Sequence, residues 1–198
     1  MKGLVIDTTL KKSYVAAFDG EREEVCYLDT SVSTQSGLIP ACRKALAALE
    51  LKQSDLDGVA AVVGPGSFTG IRIGVTFANA MAFALSLPRF SLTAFDVMRA
   101  VIPHVGCYAI DAGHDSCYAA RLTNGSLSLV NLDKSELPAD HLFQESILDS
   151  LPMGALSVAR KAFEEKVFSA CGPTMETTYL KPLYMRKSQA ERMKEQNK

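Results

Sequence analysis

Apolar residues follow two periods along this chain, and the change from one to the other predicts its elements. Short apolar runs typical of strands occur at 3–9, 13–18, 25–28, 58–63 and 90–93. Apolar spacing typical of helices occurs at 38–49, from the end of a glycine-rich segment to about 87, and at 94–101. Three strands followed by alternating helices and strands predict an α/β fold.

The opening pattern returns about a hundred residues later. A strand run at 105–113, a second at 117–122, an Asn124-Gly125 turn and a third run at 127–130 repeat the order found at the start. With a shift of 104 residues, four identities align: Ile6 with Ile110, Asp7 with Asp111, Tyr14 with Tyr118, and Ala16 with Ala120. Agreement in strand and turn order favours a duplicated unit. We therefore expect one lobe at 1–102 and a shorter one at 103–198.

Each half begins with a strand meander whose first strand ends in Asp. This arrangement is similar to the ribonuclease-H-like duplication of actin, sugar kinases and heat-shock ATPases, the ASKHA architecture. In that superfamily the strand-end Asp serves phosphate and metal. Here Asp7 and Asp111 are expected only to cap turns, because no other part of a nucleotide site is visible. The later half predicts helices at 139–151 and 155–170, a break at Pro152 and Gly154, and an extended segment at 177–185.

Composition excludes few classes of protein. Hydrophobic residues are 47% and charged residues 22% of the 198, and the formal net charge is -1, so nothing draws the whole chain to nucleic acid. Five scattered cysteines without a CxxC pair and an N-terminus without a leader pattern favour reduced thiols in the cytoplasm. The charge-free run 73–88 is too short for a membrane span. The stretch 181–198 is basic; a solvated or frayed end is the simpler interpretation, and a nucleic-acid role is the alternative.

A glycine-rich segment, GPGSFTGIRIG at 64–74, is the most specific motif. Glycine allows close backbone approach, so the segment is either a cradle of backbone amides or a close packing joint. It is not a Walker A loop, because Ile71 follows Gly70 where Lys is required, and its glycine spacing does not fit the Rossmann fingerprint. Ser67 also lacks the flanking glycines of a nucleophile elbow. Ser67 or Thr69 is expected to cap the next helix.

No catalytic, cofactor or metal site is predicted. The three histidines, His104, His114 and His141, are not paired at helical spacing, and no Ser-His-Asp or Cys-His arrangement follows from the sequence.

The helix after the glycine segment is predicted to bind a partner. Small residues recur every fourth position on it and would let another backbone approach closely. The six residues predicted for this surface are Gly70, Gly74, Phe77, Ala78, Met81 and Ala82. Packing on the chain's own sheet is the alternative for one face, but a helix that is apolar nearly all round needs cover on more than one side.

The glycine segment, with 5–9, 110–112 and 179–181, resembles the bacterial TsaB (YeaZ) family over nearly the whole chain. The resemblance implies a noncatalytic subunit that pairs with TsaD through helices of its first half and forms homodimers when alone. TsaD would hold metal and nucleotide and transfer the threonylcarbamoyl group to the adenosine beside the tRNA anticodon, and the ATPase TsaE would join. RNA would be reached through the complex. Two features differ from the family: 34–37 reads Thr-Gln-Ser-Gly where a His-Ser pair is common, and the second half is short.

Two other classes of function remain open from the sequence. A small phosphotransferase of the sugar-kinase or acetate-kinase type would suit a duplicated fold but would need a nucleotide site. A peptidase would need activity without any partner.

Overall fold

The computed structural model describes residues 1–123, 125–165, 174–176 and 179–185. Its strands are β1 (Lys2–Asp7), β2 (Tyr14–Asp19), β3 (Arg22–Tyr27), β4 (Gly58–Val62), β5 (Arg89–Leu92), β6 (Cys107–Gly113), β7 (Ser116–Thr123), β8 (Ser126–Asp133), β9 (His141–Phe143) and β10 (Thr174–Glu176). Its α-helices are α1 (Thr34–Ala48), α2 (Phe68–Leu85), α3 (Ala94–Val101) and α4 (Leu151–Glu165).

The strands form two sheets with the same internal order. The first runs β10-β5-β4-β1-β2-β3, and the second runs β8-β7-β6-β9. In each, a first strand lies between an antiparallel second strand and a parallel fourth strand, and the third strand follows the second. This shared order confirms the predicted duplicated ribonuclease-H-like architecture.

The two copies differ in the connection from their third to their fourth strand. In the first sheet this crossover is the 15-residue helix α1. In the second it is a short segment with one 3-10 turn, Lys134–Glu136. Their registers differ too: Tyr14 pairs with Asp7, whereas Tyr118 pairs with Ile110. The aligned tyrosines are therefore not equivalent in the two sheets.

Four layers follow from the burial pattern. Helices α1 and α2 cover one face of the first sheet, where Leu4, Ile6 and Val59 join Leu38 and Val75 in one core. Helices α3 and α4 lie between the first sheet and the second, and a second core joins all of them. By length and composition alone α2 could cross a membrane, but one side of it packs on the first sheet.

The helix predicted at 139–151 is wrong. Residues 141–143 form β9 beside β6, and Gln144–Ser150 is a 3-10 helix that leads into α4. Pairing with β6 overrides the local helical pattern. The predicted break at Pro152 and Gly154 is also wrong, because both residues lie in α4. Pro152 occupies the first turn, where its missing N–H breaks no intrahelical bond.

The boundary at 102/103 stays a prediction. Helix α4 packs against the first sheet as well as against α3, and β10 pairs with β5, so the chain returns to the first sheet after building the second. The end of the predicted helix at 166–170, Cys171 and the tail at 186–198 lie outside the described residues.

Candidate partner-binding face

The glycine segment is a packing joint in this structure. A Cβ on Gly70 would overlap the Thr8 carbonyl oxygen, and one on Gly74 would overlap Thr8 Oγ1. A Cβ on Gly66 would lie 2.8 Å from the Thr9 carbonyl oxygen. The Thr8 hydroxyl donates a 2.6 Å hydrogen bond to the Gly70 carbonyl. These glycines are therefore needed because the loop after β1 presses directly on the start of α2.

Ser67, one of the two residues that the sequence predicts to cap α2, is its N-cap. The backbone N–H of Gly70 donates to Ser67 Oγ at 3.2 Å. The hydroxyl of Ser67 therefore has a structural role that is typical of an N-cap.

Five of the six predicted partner-binding residues are buried inside the chain. Gly70 and Gly74 touch Thr8, while Ala78, Met81 and Ala82 are buried with α2 against the first sheet. Only Phe77 is partly exposed, and it also packs against the first core. The small-residue face is thus occupied by the chain's own sheet, which corrects the expectation that it is open to another backbone.

The opposite face of α2 is open and carries no charge along most of its length. Phe83 is 73% exposed, and Thr76, Ala80 and Ala84 share its stripe. On the neighbouring helix α1, Ile39 is 48% exposed. We call these five residues the docking face: Ile39, Thr76, Ala80, Phe83 and Ala84. A large exposed aromatic ring on an uncharged helix face is typical of a protein-binding surface.

The sequence missed the docking face because it treated the small residues as the open side. Gly70 and Gly74 could have indicated the packed side instead, since a helix approaches a neighbouring element most closely where its side chains are smallest. Thr76, Ala80 and Ala84 recur at the same four-residue spacing on the other side.

The two strand-end aspartates have different surroundings. Asp7 is buried, and its Oδ1 accepts hydrogen bonds from the Thr9 backbone N–H at 2.9 Å and from the Thr9 hydroxyl at 2.6 Å. Burial raises the pKa of Asp7, and the hydrogen bonds from Thr9 oppose that rise. Asp7 is therefore closed off by its own loop, as a turn cap would be.

Asp111 is exposed. The backbone N–H of Gly113 and an ion pair with Lys134 at 3.2 Å lower its pKa. Among the residues that the structure describes, no three His, Cys, Asp or Glu side chains are grouped to hold a metal. His104, His114 and His141 are all exposed and lie in separate segments.

Fold and site together define a class of protein: a duplicated ribonuclease-H-like chain in which Asp7 is enclosed and a helix face is left open. A family model described as "TsaD: tRNA N6-adenosine threonylcarbamoyltransferase" matches residues 30–135, more than half of the chain. The chain is also 30% identical over 125 residues to the tRNA threonylcarbamoyladenosine biosynthesis protein TsaB of Bacillus subtilis, covering 61% of this chain and 54% of that protein. The chain therefore belongs to the TsaB (YeaZ) family of TsaD-related proteins.

Other relatives agree on the family. TsaB of Haemophilus influenzae is 31% identical over 96 residues, which are 48% of this chain and 40% of that protein. The chain thus spans about half the length of these curated relatives. YeaZ from Pseudomonas aeruginosa has a similar fold, with a TM-score of 0.65 and 21% identity over 83% of this chain and 92% of that one. The structure of an uncharacterised protein with similarity to peptidase YeaZ from Pseudomonas aeruginosa has a TM-score of 0.70 and 22% sequence identity. The match covers 93% of this chain and 99% of that one.

Proposed function

We propose that this chain is a noncatalytic subunit in the biosynthesis of tRNA threonylcarbamoyladenosine. It pairs through its docking face with a TsaD-like subunit, which transfers the threonylcarbamoyl group to the adenosine beside the anticodon. A TsaE-like ATPase joins the assembly, and the same face forms a homodimer when the chain is alone. The subunit acts in the cytoplasm.

One observation carries this proposal. Phe83 is 73% exposed on a helix whose other side is filled by the chain's own sheet. Burying a phenylalanine ring removes apolar surface from water and contributes roughly 1.5–3 kcal/mol, so a partner would gain much by covering it. The names of the TsaB relatives supply the reaction in which such a partner acts.

A noncatalytic role is supported by the contacts that the polar groups after β1 and at the start of α2 make. Asp7 accepts its bonds from Thr9, Thr8 is bonded to Gly70, and Ser67 caps α2. Each group stabilises the fold locally, so none of them is free to act on a substrate in this arrangement.

The test is rescue of tRNA modification in cells depleted of this protein. Digested tRNA is analysed by mass spectrometry for threonylcarbamoyladenosine. We expect depletion to lower the modified nucleoside without lowering its free activated precursor. Wild type, Ser67→Ala and His114→Ala should restore it, whereas Phe83→Glu should not.

Two outcomes would contradict the proposal. Full modification in the depleted cells would show that the chain is not required. Failure of His114→Ala to rescue despite normal binding to the TsaD-like subunit would indicate catalysis by this chain. Isothermal titration with ATP adds a check on the phosphotransferase alternative, since we expect no tight binding by the isolated chain.

A further inference from the structure

The segment 179–185, here called the strap, is fixed along α2 from Asn79 toward the start of the helix. The side-chain amide of Asn79 donates to the Leu180 carbonyl at 3.0 Å and accepts from the Leu180 N–H at 2.8 Å. The Leu183 N–H donates to the Val63 carbonyl at 2.8 Å. A Cβ on Gly64 would lie 2.6 Å from the Leu183 carbonyl oxygen, so the first signature glycine makes room for the strap. The strap is therefore held through its backbone and through the buried side chain of Leu180, while Tyr179 and Tyr184 remain exposed at the surface.

Three side chains meet where the strap passes the first turn of α2. The Arg72 guanidinium carbon lies 4.0 Å from the centre of the Phe68 ring, and Arg72 Nε donates to the Tyr184 hydroxyl at 3.1 Å. The Phe68 and Tyr184 rings are 4.9 Å apart. Phe68 is 37% and Tyr184 41% exposed. We call these three residues the aromatic–arginine cluster.

Within the described part of the chain, Arg72 is held in place without a counter-charge. Among the described residues no carboxylate lies within ion-pair distance of it, and its terminal nitrogens have no recorded acceptor. A guanidinium stacked on one ring and hydrogen-bonded through Nε presents its two amino groups in a fixed direction. That geometry matches the two oxygens of a phosphate.

The surroundings extend this pattern along the strap. Arg89 lies 5.4 Å from the centre of the Tyr179 ring, so a second cation–aromatic pair follows the first. In the sequence, Lys181, Arg186 and Lys187 interleave with Tyr179 and Tyr184, and no acidic residue occurs at 179–187. Aromatic faces alternating with basic groups are typical of surfaces that bind single-stranded nucleic acid, because bases stack on the rings and phosphates pair with the cations.

We propose that the aromatic–arginine cluster is a direct contact site for single-stranded RNA. Arg72 binds a backbone phosphate, and a base stacks on the outer face of Tyr184. This site rests on the proposed function, because the RNA it would meet is the anticodon loop of the tRNA being modified. It adjoins the docking face, because Arg72 lies one turn before Thr76 on the same exposed side of α2.

An acidic patch on a protein partner is the other ligand that could pair with Arg72. The observations favour RNA, because a carboxylate needs the guanidinium alone, whereas this surface also presents the exposed rings of Phe68 and Tyr184. The two ligands differ in what Tyr184 contributes, and the experiment below uses that difference.

The test measures fluorescence anisotropy of a labelled anticodon-arm RNA with the full chain. Binding is compared at about 50 mM and about 200 mM salt, a range over which phosphate contacts weaken strongly. We expect Arg72→Gln to weaken binding about ten-fold and to lower the slope of log affinity against log salt by about one. Tyr184→Leu should weaken binding about ten-fold with the slope unchanged, because it removes a stacking surface and no charge. Tyr184→Phe keeps the stacking ring but loses the hydroxyl that accepts from Arg72 Nε, so its affinity should lie between those of Tyr184→Leu and wild type.

The matched control is Arg121→Gln, which removes the charge of an exposed arginine on β7. It should leave the affinity close to wild type, and thermal melting checks that every variant is folded. The proposal is overturned if Arg72→Gln and Arg121→Gln weaken binding equally. It is also overturned if the wild-type chain shows no binding up to about 100 μM, the weak end of non-specific affinity.

Failure of the proposed function can be distinguished experimentally from failure of the RNA site. If Arg72→Gln leaves RNA affinity intact but weakens pairing with a TsaD-like subunit, the cluster is a protein interface; the RNA site is then wrong, while the proposed function stands. If the RNA results are as expected but no TsaD-like partner binds the docking face, the RNA site stands and the proposed function fails.

Discussion

The two faces of α2 show how one apolar helix can serve two purposes. Its packed face carries Gly70, Gly74 and Ala78, which lie against the β1 loop and the first sheet. Its open face carries Thr76, Ala80 and Phe83, which touch solvent. Apart from Arg72 near the start of the open face, both faces lack charge, and both have small residues at four-residue spacing, so composition alone does not separate them. What separates them is how close a neighbouring backbone comes.

Substitutions on the two faces should therefore impair different properties of the protein. A larger side chain on the packed face must push Thr8 away, so the protein loses stability. A charged side chain on the open face meets only water in the isolated chain, so the fold survives and binding is lost. Gly74→Leu and Ala78→Glu, which the sequence alone would offer as partner-binding variants, should therefore act on folding.

The largest expected effect is that of Gly70→Ala. Its Cβ would overlap the backbone carbonyl of Thr8, which cannot move without shifting the end of β1. We expect a loss of more than about 4 kcal/mol in the free energy of unfolding, or no folded protein. Thermal and denaturant unfolding followed by circular dichroism measure it.

Gly37→Ala in α1 is the matched control for the same substitution. The nearest atoms to its Cβ, on Leu28 and Val32, lie at 3.5 Å, an ordinary contact distance. Since alanine is favoured over glycine in a helix by roughly 0.5–1 kcal/mol, this variant should be as stable as wild type or slightly more stable. Equal losses at both positions would show that the joint between Thr8 and α2 is not special.

The second effect concerns the open face. Phe83→Glu should keep the melting temperature of wild type but weaken binding to a TsaD-like subunit, and homodimerisation, by at least about ten-fold, because it removes apolar contact and places an unpaired charge in the interface. Sedimentation velocity and surface plasmon resonance measure the two associations. Phe83→Leu, which keeps an apolar side chain, is the control and should retain most of the binding. Unchanged pairing of Phe83→Glu would remove the docking face from consideration.

These two faces also show how far the sequence could predict this molecule. The apolar periods of strands and helices, together with the repeated opening pattern, were enough to predict the duplicated α/β fold. Burial of an element on one or both faces leaves a recognisable pattern of apolar residues in the sequence. The helix predicted at 139–151 failed because the pairing of His141–Phe143 with β6 is a long-range contact that local spacing does not record. The glycine segment indicated close approach correctly, but whether the neighbour was the same chain or another depended on Thr8, sixty-two residues away from Gly70.

A smaller effect is expected where the strap meets α2. Asn79→Ala removes both hydrogen bonds to the backbone of Leu180 and leaves those groups with no partner from the side chain. We expect a loss of about 1–3 kcal/mol in the free energy of unfolding. Hydrogen exchange should rise at 180–185 more than in β1 or β4. Asn79→Asp is an informative comparison, because it can still accept from the Leu180 N–H but cannot donate to its carbonyl. Uniform exchange across the chain in Asn79→Ala would indicate that the strap is not held through this amide.

The smallest effect depends on pH and tests the loop on which the packed face of α2 rests. Burial raises the folded-state pKa of Asp7 above its usual value, so the ionised carboxylate costs stability at neutral pH, and this cost fades as pH falls through the raised pKa. Asp7→Asn stays neutral and can still accept from Thr9. It should raise the melting temperature at about pH 7.5 by a few degrees, about 2–4 °C for each kcal/mol gained in a domain of this size, and the gain should shrink toward about pH 4.

Asp111→Asn is the control with the opposite sign. The Gly113 N–H and Lys134 lower the pKa of Asp111, so its carboxylate stabilises the fold above its usual pKa, and that contribution is lost as pH falls through the lowered value. Its amide should therefore match or slightly lower the neutral-pH melting temperature. A lower melting temperature for Asp7→Asn at neutral pH would show that the carboxylate, though buried, is paired well enough to be preferred there.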